Sequence, residues 1–336
     1  MMPMPGMIQQ ALEELLSCCP EFSPLPTLSE ESAKKVTFIG FSFPLNGQKP
    51  TAKLYFAPEK KIENLPQEIP FNLRNNLQQA IKLNSENNLQ LYDVSLEQSG
   101  CGNYIGRLLW AIPSKERASR ENYPHTIRRL LETLGHPDLA LPLLRVNNRL
   151  QEFLQVKMAP LYHLGGFLGE DGSMFRIKAN FDADICRHSD RVSYDTGRSL
   201  AATAYLLDEF GCHKALIDRI MGWNRLLLQN GYFIQFWGIH ATDNRLESMK
   251  IYLKDGDGWN DDVRMATGHF LSSIPGVDTK RIYQLLSLFL GFYWTYYGFY
   301  LEIKNCNVAT LKLYFHVKNI KQNCPGKNPD GKKEEL

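Results

Sequence analysis

Three short stretches of this chain carry the same two side chains at the same spacing. Lys53 and Tyr55 stand in AKLYF (52–56), Lys250 and Tyr252 in SMKIYLK (248–254), and Lys312 and Tyr314 in LKLYFHVK (311–318). Residues two apart share one face of a β-strand. Lysines converging from several strands would make an electropositive cavity that a small polyanion such as a diphosphate neutralises, through charge and charge-assisted hydrogen bonds. Tyrosine faces carry negative quadrupole density and stabilise cations, and their hydroxyls can bond phosphate oxygens. A diphosphate cradle beside cation-stabilising rings suits one chemistry: diphosphate leaves an allylic group, and an electron-rich aromatic ring captures the carbocation.

The elements that would position these residues recur. Residues 36–57 read as two strands joined at Asn46-Gly47, a strong hairpin signal. Residues 161–182 repeat the plan with Asp171-Gly172 at the turn, 232–254 with Asp243-Asn244, and 298–317 with Asn305 to Asn307. A weaker fifth hairpin, 90–112, turns through Gly100 and Gly102. Helical patterns lie between them over 73–83, 126–134, 143–155, 196–210, 212–229 and 279–294. The polar face of each second strand falls at Lys53, Arg107, Arg176, Lys250 and Lys312, at intervals of 54, 69, 74 and 62 residues. That is five loose repeats of helix, strand, strand, helix.

Antiparallel hairpins joined by helices predict an α+β fold, and about ten strands are enough to curl and close. Leu54 and Phe56; Phe175, Ile177, Ala179 and Phe181; Met249, Ile251 and Leu253; and Leu311, Leu313, Phe315 and Val317 make the face that helices would cover. Lys53, Tyr55, Arg176, Lys178, Asn180, Asp182, Lys250, Tyr252, Lys254, Lys312, Tyr314, His316 and Lys318 make the opposite face. The expected architecture is a ten-stranded antiparallel β-barrel surrounded by α-helices, with this polar set lining its lumen. One domain would span 1–319, and the polar, Pro/Gly-rich 320–336 would be a disordered tail. Two other arrangements compete: one-sided sheets with the polar face in bulk water, and two α+β domains split near 120–150, with 113–125 as a loop.

The repeats and the Lys-x-Tyr strands resemble the ABBA, or PT-barrel, aromatic prenyltransferases. GIHATDNRLESMKIYLKD (238–255) and LYFHVKN (313–319) are similar to strands of the cyanobacterial cyanobactin peptide prenyltransferases. KPTAKLYFAPEK (49–60) is similar to the dimethylallyltryptophan synthase type. The likeness spans roughly 36–319 in architecture, and its repetition carries more weight than any one motif. The resemblance implies that Lys53, Arg107, Arg176, Lys178, Lys250 and Lys312 bind the diphosphate, and that Tyr55, Tyr252 and Tyr314 shield the cation. Position 109 is Leu and position 178 is Lys, so two walls lack the tyrosine, and Trp237 and Tyr300 are candidates to complete the shield and bind the acceptor. The donor would be dimethylallyl or geranyl diphosphate and the acceptor an indole or another aromatic small molecule. A Trp, Tyr or His in a peptide is the alternative acceptor. No cofactor is required on this reading, and Mg²⁺ stays open.

A carboxylate must remove the acceptor's proton. Asp93 and Glu97 share a face of YDVSLEQ (92–98), and DVSLE resembles the base-bearing strand of the tryptophan enzymes, a likeness that favours Asp93. Glu302 lies on a polar strand face between Tyr300 and Lys304. An arenium proton is so acidic that an ordinary carboxylate within hydrogen-bond reach suffices. Each of the three could equally be a solvated strand acid or the partner of a lumen lysine. A barrel that only binds an isoprenoid or phosphorylated ligand is the reading from another class.

Composition narrows the rest. A net charge of +2 over 336 residues gives no global pull toward nucleic acid or membrane. Seven cysteines without C-x-x-C spacing argue against a disulfide framework and fit a reducing, cytoplasmic setting. The first residues lack the pattern of a signal peptide. LLSLFLGFYWTYYGFYL (285–301) carries no charge, but its glycines, tyrosines and changing period read as a buried helix ending near Gly291 or Tyr296, then a strand. DGDGWNDD (255–262) lacks the glutamate that a calcium loop needs, and reads as a loop before a helix capped near Asn260 or Asp261. No D-D-x-x-D stands in the chain, GCGNYIG (100–106) lacks a dinucleotide site's context, and RHSD (187–190) is not a triad.

Overall fold

The computed structural model describes residues 36–56, 70–85, 90–98, 104–169, 171, 173–185, 195–242, 245–256, 261–291 and 294–317. Ten strands close on themselves: β1 (Val36–Pro44), β2 (Thr51–Phe56), β3 (Gln90–Gln98), β4 (Tyr104–Ala111), β5 (Leu161–Leu168), β6 (Met174–Asp182), β7 (Tyr232–Thr242), β8 (Arg245–Asp255), β9 (Trp294–Lys304) and β10 (Asn307–Val317). Each pairs antiparallel with its sequence neighbours, and β1 pairs with β10 to shut the barrel, Phe41 opposite Leu313 and Ser42 opposite Lys312. Closure leaves no edge strand. Both competing arrangements fail on this point, since one sheet contains every strand described.

Among the described residues eight α-helices surround the barrel: α1 (Phe71–Ser85), α2 (Ser114–Ala118), α3 (Asn122–Thr133), α4 (Ala140–Leu154), α5 (Thr196–Glu209), α6 (Lys214–Gln229), α7 (Asp261–Ser273) and α8 (Thr279–Gly291). Their apolar residues recur at helical spacing. Leu143, Val146, Leu150 and Leu154 of α4 are buried, as are Leu216, Ile220, Trp223 and Leu227 of α6. They cover the outer strand face, where Leu54, Ile177, Phe181, Ile251, Leu313 and Phe315 are fully buried. Side chains close two helix starts: the Asp195 carboxylate accepts from the Arg198 N–H, and His213 Nδ1 from the Leu216 N–H.

The apolar run resolves as read: α8 ends at Gly291 and β9 begins at Trp294. Among the described residues no helix is long and apolar enough to cross a membrane. The stretch 113–125 is not a loop, since it holds α2 and the start of α3. Phe175 departs from its expected covered position. The β5–β6 register slips between Phe167 and Leu168, and Phe175 lies 40% exposed against the Phe167 ring. The turns at 99–103 and 243–244, Gly172, the RHSD stretch and the tail 320–336 lie outside the described residues.

The sheet bends where glycine permits it. Gly298 sits at a bulge between β9 and β10 with φ +147, and a Cβ there would lie 2.2 Å from the Leu253 carbonyl oxygen. Gly298→Ala should therefore destabilise the protein by at least about 1–3 kcal/mol, the usual cost of such backbone strain. Urea unfolding monitored by tryptophan fluorescence measures it, and an unchanged midpoint would show that the bulge relaxes freely.

Candidate functional site

Alternation delivers the polar face of the second strands into the lumen. The cavity there, of about 330 Å³, is bounded at the hairpin end by Gln48 and Lys49 of the β1–β2 turn. Among the described residues lining it, Glu302 is the one carboxylate, against Lys49, Lys53, Arg107, Arg176, Lys250 and Lys312.

The buried cations rest on rings or a carboxylate. Lys53 lies 5.1 Å from the centre of the Phe167 ring, Arg107 lies 5.2 Å from Tyr55, and Lys178 lies 5.1 Å from Tyr252. Lys312 lies between Tyr55 and Tyr314, at 5.5 and 5.6 Å. Lys250 sits 4.4 Å over Tyr300, donates to its hydroxyl at 3.1 Å, and approaches the Glu302 carboxylate at 3.5 Å. Arg176 pairs with Glu247 at 3.0 Å, and Lys304 donates to the same carboxylate.

The tyrosines form a continuous wall. Ring centres of Tyr252 and Tyr300 are 5.0 Å apart, and Tyr314 stands 5.8 Å from both Tyr55 and Tyr300. The Tyr55 hydroxyl donates to that of Tyr314 at 3.4 Å. Burial raises the Tyr252 and Tyr314 pKa values far above the ordinary phenol value, so both rings stay neutral. Gly238, opposite Lys250 on the same wall, makes room for this layer: a Cβ there would lie 2.8 Å from the Tyr252 ring.

The structure thus brings to the lumen Lys53, Arg107, Arg176, Lys178, Lys250, Lys312, Tyr55, Tyr252, Tyr314, Tyr300 and Glu302. It does not bring Trp237. That indole is fully buried outside the barrel and donates from Nε1 to the Thr203 hydroxyl of α5 at 2.9 Å. The cause is a slip in the β7–β8 register between Ile234 and Phe236. Tyr232 and Ile234 face the helices; after the slip Trp237 does so, and Phe236 and His240 face the lumen. Asp93 and Glu97 belong to β3, with Glu97 in register with Lys53 and Asp93 with Leu109; their side chains lie outside the described residues.

Several lumen residues escape the sequence reading. Phe167, on β5, supplies the missing ring of the second and third walls, beneath Lys53 and Arg176. Glu247 reaches the rim because the β7–β8 register also slips between His240 and Ala241. His240 and Ser248 surround Glu302: Ser248 donates to its carboxylate at 2.7 Å, and His240 Nδ1 lies 3.7 Å away. Burial alone would raise the Glu302 pKa. Lys250, the Ser248 hydrogen bond and Arg176 more than offset it, so the carboxylate is held below its ordinary value and ionised. Burial, reinforced by Lys250, Lys178, Arg176 and Arg107, holds His240 well below the usual imidazole range and neutral. Among the described residues no group of three or more His, Cys, Asp or Glu side chains could hold a metal ion.

The fold has known counterparts. No protein-family model and no curated protein matches the sequence. Solved structures do match over nearly the full length. AnaPT from Neosartorya fischeri superposes with a TM-score of 0.56 at 12% identity, covering 94% of this chain and 95% of that one. 5-Dimethylallyltryptophan synthase from Streptomyces coelicolor gives 0.51 at 13% identity, covering 95% and 91%. 6-Dimethylallyltryptophan synthase from Micromonospora olivasterospora, solved in complex with DMASPP and Trp, gives 0.50 at 12%, covering 93% and 95%. At such identities the likeness is one of fold. The chain has the ABBA, or PT-barrel, architecture: a closed ten-stranded antiparallel barrel ringed by helices.

A neutral ring wall beneath converging cations is suited to hold a polyanion. Lys250→Ala and Lys312→Ala should each weaken inorganic diphosphate binding about ten- to hundredfold, the worth of a charge-assisted hydrogen bond of roughly 1.5–3 kcal/mol. Calorimetric titration reads this, and wild-type affinity in both variants would place those ammonium groups outside the anion site. Acid stability follows from His240. Its folded pKa is depressed, so its contribution is complete above about 6.5, the unfolded value, and is lost as pH falls toward the folded one. His240→Gln should therefore lose less stability than wild type between about pH 7.5 and 5.5, measured by urea midpoints; an equal loss would exclude this imidazole as a source of the acid sensitivity.

Proposed function

We propose that this protein is an aromatic prenyltransferase, moving a dimethylallyl or geranyl group from its diphosphate to an electron-rich aromatic acceptor, with an indole as the acceptor of choice. One observation carries the reading. Cations from every hairpin converge beside a wall of aromatic rings, most of them tyrosines, inside a barrel lumen where a carbocation would be sheltered from water. Proteins sharing the fold support the same class: two are dimethylallyltryptophan synthases, one of them solved in complex with DMASPP and Trp.

Lys53, Arg107, Arg176, Lys178, Lys250 and Lys312 take the donor's diphosphate. Their charges stabilise the leaving group as the allylic C–O bond breaks and its electron pair leaves with the diphosphate. Tyr55, Tyr252, Tyr314 and Tyr300 turn ring faces toward the cation. The acceptor's π electrons form the new bond. A carboxylate then takes the proton from the arenium carbon, and the C–H pair restores the aromatic ring. Glu302 is our choice of base because it lines the lumen half-buried, is ionised and lies on the same strand face as Tyr300. An indole suits this site because its nucleophilic carbon needs no strong base.

Incubation with dimethylallyl or geranyl diphosphate and a panel of indoles, phenols and cyclic peptides, analysed by mass spectrometry, tests the assignment. Prenylated indole and free diphosphate should appear, and turnover should persist in EDTA. A cyclic peptide turning over faster than a free indole would reverse the acceptor order. No product with any pairing would leave a ligand-binding barrel instead. Tyr252→Phe, which keeps the ring, should retain far more activity than Tyr252→Ala; equal losses would show that the hydroxyl and not the ring face matters.

A further inference from the structure

The proposed reaction releases a proton inside the barrel, and Glu302 is poorly suited to keep it. Lys250 and Ser248 hold that carboxylate in its ionised form, so a proton placed on it must move on. The neighbouring group is His240. It lies on β7, lines the cavity, is 3% exposed, and has Nδ1 3.7 Å from the Glu302 carboxylate. Among the described residues neither of its ring nitrogens has a hydrogen-bond partner. A buried imidazole facing a cavity with both nitrogens unengaged is placed to meet a ligand.

We propose that His240 is the second proton carrier of the site, passing the acceptor's proton from Glu302 to the departing diphosphate. The inference rests on the prenyltransferase reading and on Glu302 as base. The groups around the imidazole make the transfer depend on the anion. Arg176 and Lys178 face it from β6, Lys250 from β8 and Arg107 from β4; Glu302 faces it from β9, and the Phe167 ring of β5 packs edge-on at 5.2 Å. With the cavity empty, burial and these cations keep the ring neutral. A bound diphosphate neutralises the cations and returns basicity to the imidazole. The carrier is thus switched on by the group that will receive the proton.

The steps balance. The arenium C–H bond breaks, its electron pair returns to the ring, and the proton passes to a Glu302 oxygen. It moves from there to His240 Nδ1, giving an imidazolium. The proton on Nε2 then goes to a diphosphate oxygen, which leaves as hydrogen diphosphate. Proton exchange with water in the emptied cavity restores the starting tautomer. No oxidant or reductant takes part.

Two measurements test this. In wild-type protein labelled with ¹⁵N-histidine, inorganic diphosphate at neutral pH should move the His240 resonances toward those of an imidazolium, with His240→Gln giving the assignment. In kinetics with dimethylallyl diphosphate and an indole, His240→Gln and His240→Asn should lose about a hundredfold in kcat, at the low end of general acid–base contributions. Donor KM should stay within about threefold. The relay is overturned if the resonances stay neutral at saturating diphosphate, if kcat holds within about threefold, or if donor binding falls in step with kcat. The last result would make His240 an ordinary anion ligand. If wild-type enzyme turns over and the variants match it, the relay alone fails. If wild type binds diphosphate but makes no product with any acceptor, the prenyltransferase reading fails and takes the relay with it; the NMR measurement needs no turnover, and His240→Asn gives the assignment should His240→Gln not fold.

Discussion

Cations gathered in one cavity repel one another, and removing each from water costs roughly several kcal/mol after relaxation. The lumen is arranged around that cost. Ring faces meet Lys53, Arg107, Lys178, Lys250 and Lys312, each within 5.5 Å of an aromatic centre. Two carboxylates, Glu302 and Glu247, are shared among Lys250, Arg176 and Lys304. Tyr252 and Tyr314 stay neutral because burial keeps their hydroxyls protonated, so they answer the charge without cancelling it. What remains is a positive potential in a low-dielectric enclosure, where an anion interacts more strongly than it would in water.

The enclosure in turn depends on its outer face. Strand residues opposite the lysines are wholly buried under amphipathic helices, so rotating a lysine outward would place charge in an apolar layer and take apolar surface out of it. Alternation with period two makes these outcomes inseparable: one slip of register would exchange the two faces of a strand. The same hydrophobic packing that stabilises the barrel therefore holds the cations inward.

This coupling explains what the sequence disclosed. Second strands carry their alternation without interruption past Lys53, Lys250 and Lys312, so their faces, the five-hairpin plan and the closed barrel could be read directly. First strands could not be read that way. β3, β5 and β7 each contain a register slip, and a single extra residue inverts the parity of everything beyond it. Trp237, expected in the lumen, packs against α5 instead, and the same shift brings Phe236 and His240 into the lumen. Phe167 carries no signal in the sequence, because LGGFLG presents no polar alternation to mark its face. The crowding of Ser248, Lys250 and His240 around Glu302 is a matter of distance between strands, which no local pattern records.

The seam between β1 and β10 has a kinetic corollary. Tyr55 and Tyr314, whose hydroxyls touch, are separated by 259 residues in sequence, and Ser42 meets Lys312 only across that seam. Contacts so distant along the chain are slow to form, because the loop they close must be ordered first. A barrel lacking its last hairpin can still bury hydrophobic surface, yet it has an open wall between β1 and β8 and is without one of its three Lys-x-Tyr strands. Ligand affinity is thus a late product of folding, and a partly assembled chain is a blank rather than a weak or promiscuous version of the finished one.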